Sequence, residues 1–341
     1  YWNSSKESDS LSELGNFTVN VNTLSLGTHA ITFQGRDNYT TWSPKVSSWL
    51  VVKAYPNATI TSVSPRSTDE GVSVSFSGSG SDEDGTVTGY EWISSRDGLL
   101  SRDSSFSTTE LSPGFHRITF KVKDNDTLWS VAKISSVFIN DISVASIDSI
   151  SPQTAYRNNL TYYTVSFYGN VSDNDGQITH YYWNSSKDDS LSESGNFTVN
   201  VNTLSLGTHT ITFQGRDNYT TWSPKVSSWL IVKEYPNANI TSQSAYSIDF
   251  ADLITLSGSG SDGDGSITDY EWVSSRDGLL SRDSSFSTTE LSVGFHSVTL
   301  KVKDDNGLWS IPIITQISVN DIPVSIIDGI TPQVAYQNNL T

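Results

Sequence analysis

The chain has 341 residues, no Cys and no Met, and 37 acidic against 20 basic residues for a formal net charge of -17. The missing sulfur excludes disulfides, thiol catalysis and Cys-based metal sites. The acidic balance excludes the electrostatic footprint of a nucleic-acid or anionic-lipid binder and leaves cations as the natural small partners. Hydrophobic residues make up 35% and aromatics 11%, a mix that suits thin sandwiches rather than thick cores. No run approaches the roughly 18 apolar residues of a membrane span, and no signal peptide is legible.

Internal duplication dominates the chain order. Residues Asn16 to Trp49 return at Asn196 to Trp229 with one change, Ala30 to Thr210, and Ser94 to Ser112 return unchanged at Ser274 to Ser292. The period is about 180 residues and holds two related units of about 90, here called A and B. The expected domains are the C-terminal part of an A unit at 1–56, B at 57–142, A at 143–235, B at 236–322, and the N-terminal part of a further A unit at 323–341. Tyr1 matches Tyr182 and Thr341 matches Thr161, so both ends read as cut through a domain. Two explanations stay open: a window on a longer array, or strands supplied by a neighbouring chain.

Local patterns are those of strands. Val72, Val74 and Phe76 alternate with small polar residues, as do Ile118, Phe120 and Val122, and then Val298, Leu300 and Val302 in the second B copy. Period 2 bounded by Gly, Ser, Asn and Asp predicts half-buried antiparallel strands, and no stretch shows a 3.6 period. With Trp2, Trp92, Trp183 and Trp272 as core anchors on the third strand, the expected architecture is all-β: tandem immunoglobulin-like sandwiches in an extended array. Linkers such as VVKAYPNA and FINDIS carry no Gly/Ser tether, which predicts a semi-rigid rod.

Three constellations carry chemistry. The first is a repeated Asp-x-Asp-Gly turn at Asp82 and Asp84, Asp173 and Asp175, and Asp262 and Asp264. Asp124, Asp217 and Asp304, at the end of a later strand, are expected at the same end of each sandwich. Converging carboxylates suit Ca²⁺; the alternative is a turn whose Asp side chains bond local amides and whose Gly takes positive φ. The second is a set of twelve glycosylation sequons, at Asn3, Asn16, Asn38, Asn57, Asn125, Asn159, Asn170, Asn184, Asn196, Asn218, Asn239 and Asn339. They predict N-linked glycans, with an abundance of turn-forming Asn and Ser/Thr as the other reading. The third is the aromatic set Trp42, Trp129, Trp222 and Trp309, which either packs against the next module or stacks on sugar. His29, His116, His209 and His296 recur at one corner of every unit, which reads as packing rather than catalysis, and no G-x-S-x-G elbow is present.

Residues Ser81 to Trp92 (SDEDGTVTGYEW) with Ser112 to Asp124 (SPGFHRITFKVKD) resemble the polycystic kidney disease (PKD) repeat family. So do Ser172 to Trp183 with Leu206 to Asp217, and Ser261 to Trp272 with Ser292 to Asp304. The aromatic-Asp-Phe-Gly-Asp-Gly run of that family is replaced after the Trp by ISSRDG, VSSRDG or NSSKDD. The resemblance implies tandem modules of archaeal and bacterial surface proteins, with a spacer, adhesive or wall-forming role outside the cell and no catalysis of their own. The expected function is therefore a structural repeat of a glycosylated surface fibre or layer. Its partners would be other copies or neighbouring repeats, with carbohydrate a further option; an adhesin stalk, or spacer or carbohydrate-binding modules of a secreted hydrolase, is the alternative.

Overall fold

The computed structural model describes residues 1–158, 164–331, 333, 334 and 337. Among them every regular element is a strand except two single 3-10 turns, Val21–Thr23 and Val201–Thr203. The chain divides into two compact units. One is Tyr1–Val144 with Ser172–Thr179 and Arg216–Ser223; the other is Ala145–Val171 with His180–Gly215 and Pro224–Thr341.

In the first unit, Asn57–Ser64, Val74–Ser81 and Ser105–Thr108 form a three-stranded antiparallel sheet. A five-stranded sheet covers it, in the order Ser67–Asp69, Lys133–Asn140, Gly114–Asp124, Val87–Ser94 and Gly98–Ser101, with the short first strand parallel to its neighbour. The strand Gly114–Asp124 turns His116, Ile118, Phe120, Val122 and Asp124 inward, all buried. Its inward row thus opens on a His and closes on an Asp, and both polar ends are put to use below. Val72 is 47% exposed and precedes the strand, which begins at Val74; the alternation expected from Val72 starts one step later. In the core, the Trp92 and Phe120 ring centroids lie 4.2 Å apart, with Phe76 at 5.5 Å from Trp92. Trp92 satisfies its indole by donating to the Asp103 carbonyl at 3.2 Å, as a buried Trp must.

Residues 1–56 contribute a separate three-stranded sheet of Trp2–Ser4, Gly27–Phe33 and Val46–Val52. Leu50 on its last strand is 39% exposed, whereas its repeat equivalent Leu230 is 0% exposed, because residues 1–56 hold no counterpart of the second sheet that covers Leu230.

The second unit contains the last sandwich and most of the one before it, whose loops at 172–179 and 216–223 belong to the first unit. One pairs a sheet of Val144–Ser151, Thr164–Ser172 and Asn196–Asn200 with a sheet ordered Thr154–Arg157, Val226–Glu234, Gly207–Asp217, Ile178–Ser185 and Asp189–Ser192. Its Trp183 stacks on Phe213 at 4.2 Å. The last sandwich repeats the plan with Asn237–Gln243, Ile254–Ser261 and Ser285–Thr288 against Ser247–Asp249, Ile313–Asn320, Gly294–Asp304, Ile267–Ser274 and Gly278–Ser281. Trp272 is its fully buried anchor.

Candidate metal centre

The paired-carboxylate turn joins two consecutive strands of each complete sandwich, one in each sheet, and the loop after the strand ending in Asp124, Asp217 or Asp304 closes beside it. Register holds the two loops together. Asn125 N–H donates to the Thr86 carbonyl at 3.0 Å, and Thr86 N–H returns a bond to Asn125 Oδ1 at 2.8 Å. Asn218 Oδ1 accepts from Gln177 N–H at 2.7 Å in the same place, and Asp305 Oδ1 accepts from Ser266 N–H at 3.3 Å.

These contacts explain the Gly that follows the second Asp. Gly85, Gly176 and Gly265 are absent from the positive-φ glycines, so the expectation of a left-handed turn is corrected. The reason is space. A Cβ on Gly85 would stand 2.1 Å from Asn125 Oδ1 and 2.6 Å from Asp82 Oδ2, and Gly176 and Gly265 meet the equivalent atoms.

Each Asp of the constellation has a distinct role. The second one clamps the linker from the preceding sandwich: Ala54 N–H donates to Asp84 Oδ1 at 2.9 Å, Asp141 N–H to Asp175 Oδ2 at 3.2 Å, and Glu234 N–H to Asp264 Oδ1 at 2.7 Å. The one at the strand end uses a single oxygen to cap its own loop. Leu128 N–H donates to Asp124 Oδ1 and Leu308 N–H to Asp304 Oδ1, each at 2.8 Å, while Tyr219 and Thr221 N–H both donate to Asp217 Oδ1.

What remains is unpaired. Asp82 and Asp262 have both carboxylate oxygens buried without a hydrogen-bond partner among the described residues, as do Asp124 Oδ2, Asp304 Oδ2, Asp173 Oδ2 and Asp175 Oδ1. Asp124 and Asp304 are 1% exposed. Desolvation pushes the Asp173 and Asp262 carboxyls above the ordinary range, reinforced at Asp262 by the charges of Asp264 and Asp304. No three His, Cys, Asp or Glu side chains among the described residues stand close enough together to hold a metal as placed. The chemistry of the oxygens, hard and anionic, is nonetheless that of a Ca²⁺ ligand set.

Several partners at these junctions were not legible in the sequence. Asn140 Nδ2 donates to Asp69 Oδ1 and to Asp217 Oδ2, both at 2.9 Å, and Thr221 Oγ1 donates to the same Asp69 oxygen at 2.7 Å. Asn174 Nδ2 donates to Asp141 Oδ2 at 2.6 Å, and the Phe138 and Tyr219 rings meet at 4.9 Å. Lys53 donates to Asp126 at 2.5 Å, which holds its ammonium pKa up, and Lys233 bonds Asn306. The one available signal was position: Asn140 and Lys53 occupy equivalent places at the end of the last strand of their units.

The sequons are distributed over both loops and strands. Asn16, Asn38, Asn57, Asn125, Asn170, Asn196, Asn218 and Asn239 are exposed, Asn3 and Asn184 are half-buried, and Asn159 and Asn339 lie outside the described residues. The loop tryptophans Trp42, Trp129, Trp222 and Trp309 each lie under a cation of their own sandwich, Arg36, Lys123, Arg216 and Lys303, at 5.4 to 6.0 Å. The four corner histidines are 0% exposed, while His180 is exposed on its strand.

No family model matches the chain, and no curated protein does. Among solved structures, a three-Ig I-band fragment of titin aligns at 13% identity and TM-score 0.47, over 79% of this chain and 99% of that one. Three N-terminal domains of the bacteriophage RB49 highly immunogenic outer capsid protein align at 14% and 0.33, over 80% and 99%. Fibronectin(III)-like modules of Clostridium thermocellum CbhA align at 13% and 0.25, over 52% and 95%. Identities this low concern fold alone. The strand content and sheet order described above make the chain a tandem series of immunoglobulin-like β-sandwiches.

Proposed function

We propose that this chain is a structural segment of an extracellular or cell-surface protein: PKD-type modules that space or build a glycosylated surface fibre or layer and carry no catalysis of their own. The observation that carries this reading is the clamp at every junction, where the second Asp of each turn bonds a backbone amide of the incoming linker. Evolution of a catalyst needs one unique site; here the same polar device recurs wherever one sandwich follows another. A repeated, anchored linker serves spacing. The near-identical copies about 180 residues apart present the same surface at regular intervals, which suits self-association, and exposed sequons supply glycan acceptors.

Electron microscopy of native material tests the proposal. Filaments or a lattice with an axial repeat of two sandwiches, with extra density at Asn16 and Asn196, are the expected result. Discrete rods ending in a globular head would replace it with the adhesin-stalk or hydrolase-spacer reading, in which the activity belongs to another part of the protein.

A further inference from the structure

We propose that the A-to-B junctions are binding sites for a hard divalent cation of the Ca²⁺ class. Asp82, Asp84 and Asp124 would hold it at the first, and Asp262, Asp264 and Asp304 at the second. The B-to-A junction formed around Asp173, Asp175 and Asp217 is not an equivalent site.

Asp124 and Asp304 are 1% exposed, each with one oxygen bonded to a loop amide and Oδ2 without a partner among the described residues. Asp82 and Asp262 add two buried, unpartnered oxygens each. A buried carboxylate with nothing to neutralise it is among the costliest arrangements a fold can hold. Two remedies are available: protonation or a cation.

Protein cations supply the second only at a distance. The Lys53 ammonium feels the charges of Asp84 and Asp124 but donates to Asp126, and its counterpart Lys233 donates to Asn306. The unpartnered oxygens are left to an ion from outside. The three carboxylates stand apart as placed; a divalent ion would draw them inward, and Gly85 or Gly265 leaves the room a Cβ would take. Six to eight oxygen ligands are completed by water and loop carbonyls.

At the middle junction the deciding difference is one residue. Where the A units carry Lys53 and Lys233, the B unit carries Asn140, whose amide donates to Asp217 Oδ2 at 2.9 Å. That bond occupies the oxygen left open at Asp124 and Asp304, so the ion is replaced by a side-chain amide. Asp84 and Asp264 also accept the linker amides of Ala54 and Glu234. Cation binding would therefore lock the A-to-B linkers, while the B-to-A linker is fixed without it.

This inference does not rest on the fibre reading, because its test uses the full chain in solution. After chelator treatment, calorimetric titration with CaCl₂ is expected to fill two sites, with dissociation constants in the range of about 10⁻⁵ to 10⁻³ M, and to raise the melting temperature by roughly 10 °C at saturation. Mg²⁺, which demands a tighter octahedron, should bind at least about tenfold more weakly. The pair Asp82→Asn with Asp262→Asn should lose both sites and melt no lower than the calcium-free parent, since it removes buried repulsion; Asp124→Asn with Asp304→Asn is the second pair should the first fail to fold. Asp173→Asn should leave both sites intact. No heat and no change in melting up to about 10 mM Ca²⁺, binding that survives both double variants, or three equal sites would each overturn the proposal.

Discussion

Ser94 Oγ lies 2.8 Å from His116 Nδ1, and Asp97 Oδ2 lies 3.3 Å from the same nitrogen, the three residue types of a hydrolytic triad. The remaining contacts argue against that role. His116 Nε2 donates to the Ser112 carbonyl at 2.6 Å, so its Nδ1 accepts from the Ser94 hydroxyl, and that hydroxyl oxygen in turn accepts from the Arg96 and Asp97 amides. Ser94 is 2% and His116 0% exposed, so neither side chain faces a substrate. The ring is a latch joining the corner before its strand to the turn after the Trp strand, and it recurs at His29, His209 and His296. Truncation of His296 to Ala leaves a cavity and unpaired partners at Ser274 and Ser292, and is expected to destabilise the last sandwich by about 2–4 kcal/mol, read by chemical denaturation. Beside it, burial raises the Asp277 carboxyl, but the bonds from Ser292 and the nearby His296 outweigh it and the net shift is downward. A depressed native pKa means that this contribution is complete above the unfolded value near 3.9 and is lost as pH falls through the lower native one. Asp277→Asn should therefore destabilise the fold at pH 7, and the difference from the parent should shrink as pH falls below the unfolded value near 3.9, which denaturation across that range measures.

Strands in these sandwiches are limited by what the Trp ring needs opposite it. A Cβ on Gly258 would lie 2.4 Å from Leu300 Cδ2 and 2.9 Å from Trp272 Cζ2; Gly78 and Gly169 face their own Trp in the same way. The glycine is a packing residue, and its backbone φ is ordinary. Gly258→Ala overpacks the core between the two sheets and is expected to cost about 1–3 kcal/mol. Loss confined to residues 236–322, measured by hydrogen exchange, would place the damage in that sandwich. Two of these glycines stand in SGSG segments, at 77–80 and 257–260. Tertiary packing shows why they are small: the missing side chains are the volume the indole occupies.

For the whole molecule, charge sets the response to solvent. The net charge is -17, and among the described residues the ion pairs between Lys or Arg and acidic side chains are few, Lys53 with Asp126, Arg102 with Glu91 at 4.0 Å and Arg282 with Glu271 at 3.4 Å. Such pairs contribute about 0–1 kcal/mol each, so self-repulsion is the larger long-range effect. Raising NaCl from about 10 to 150 mM shortens the screening length from roughly 30 to 8 Å and should raise the melting temperature of the calcium-free chain. A fall on salt addition would show that the ion pairs win.

Much of this was legible without coordinates. Period-2 alternation gives half-buried strands, and duplication gives repeated modules, because both depend on residue order alone. Asp82, Asp84 and Asp124 could be placed at one end of a sandwich by topology. Which of their oxygens is spent on a linker amide, which on a loop, and which on nothing was decided by tertiary structure. So was the role of Asn140, an ordinary residue in FINDIS until the fold carries it to Asp69 and Asp217, 71 and 77 positions away. Hydrophobic pattern is a property of neighbours along the chain; hydrogen-bond satisfaction is a property of groups that only folding brings into reach.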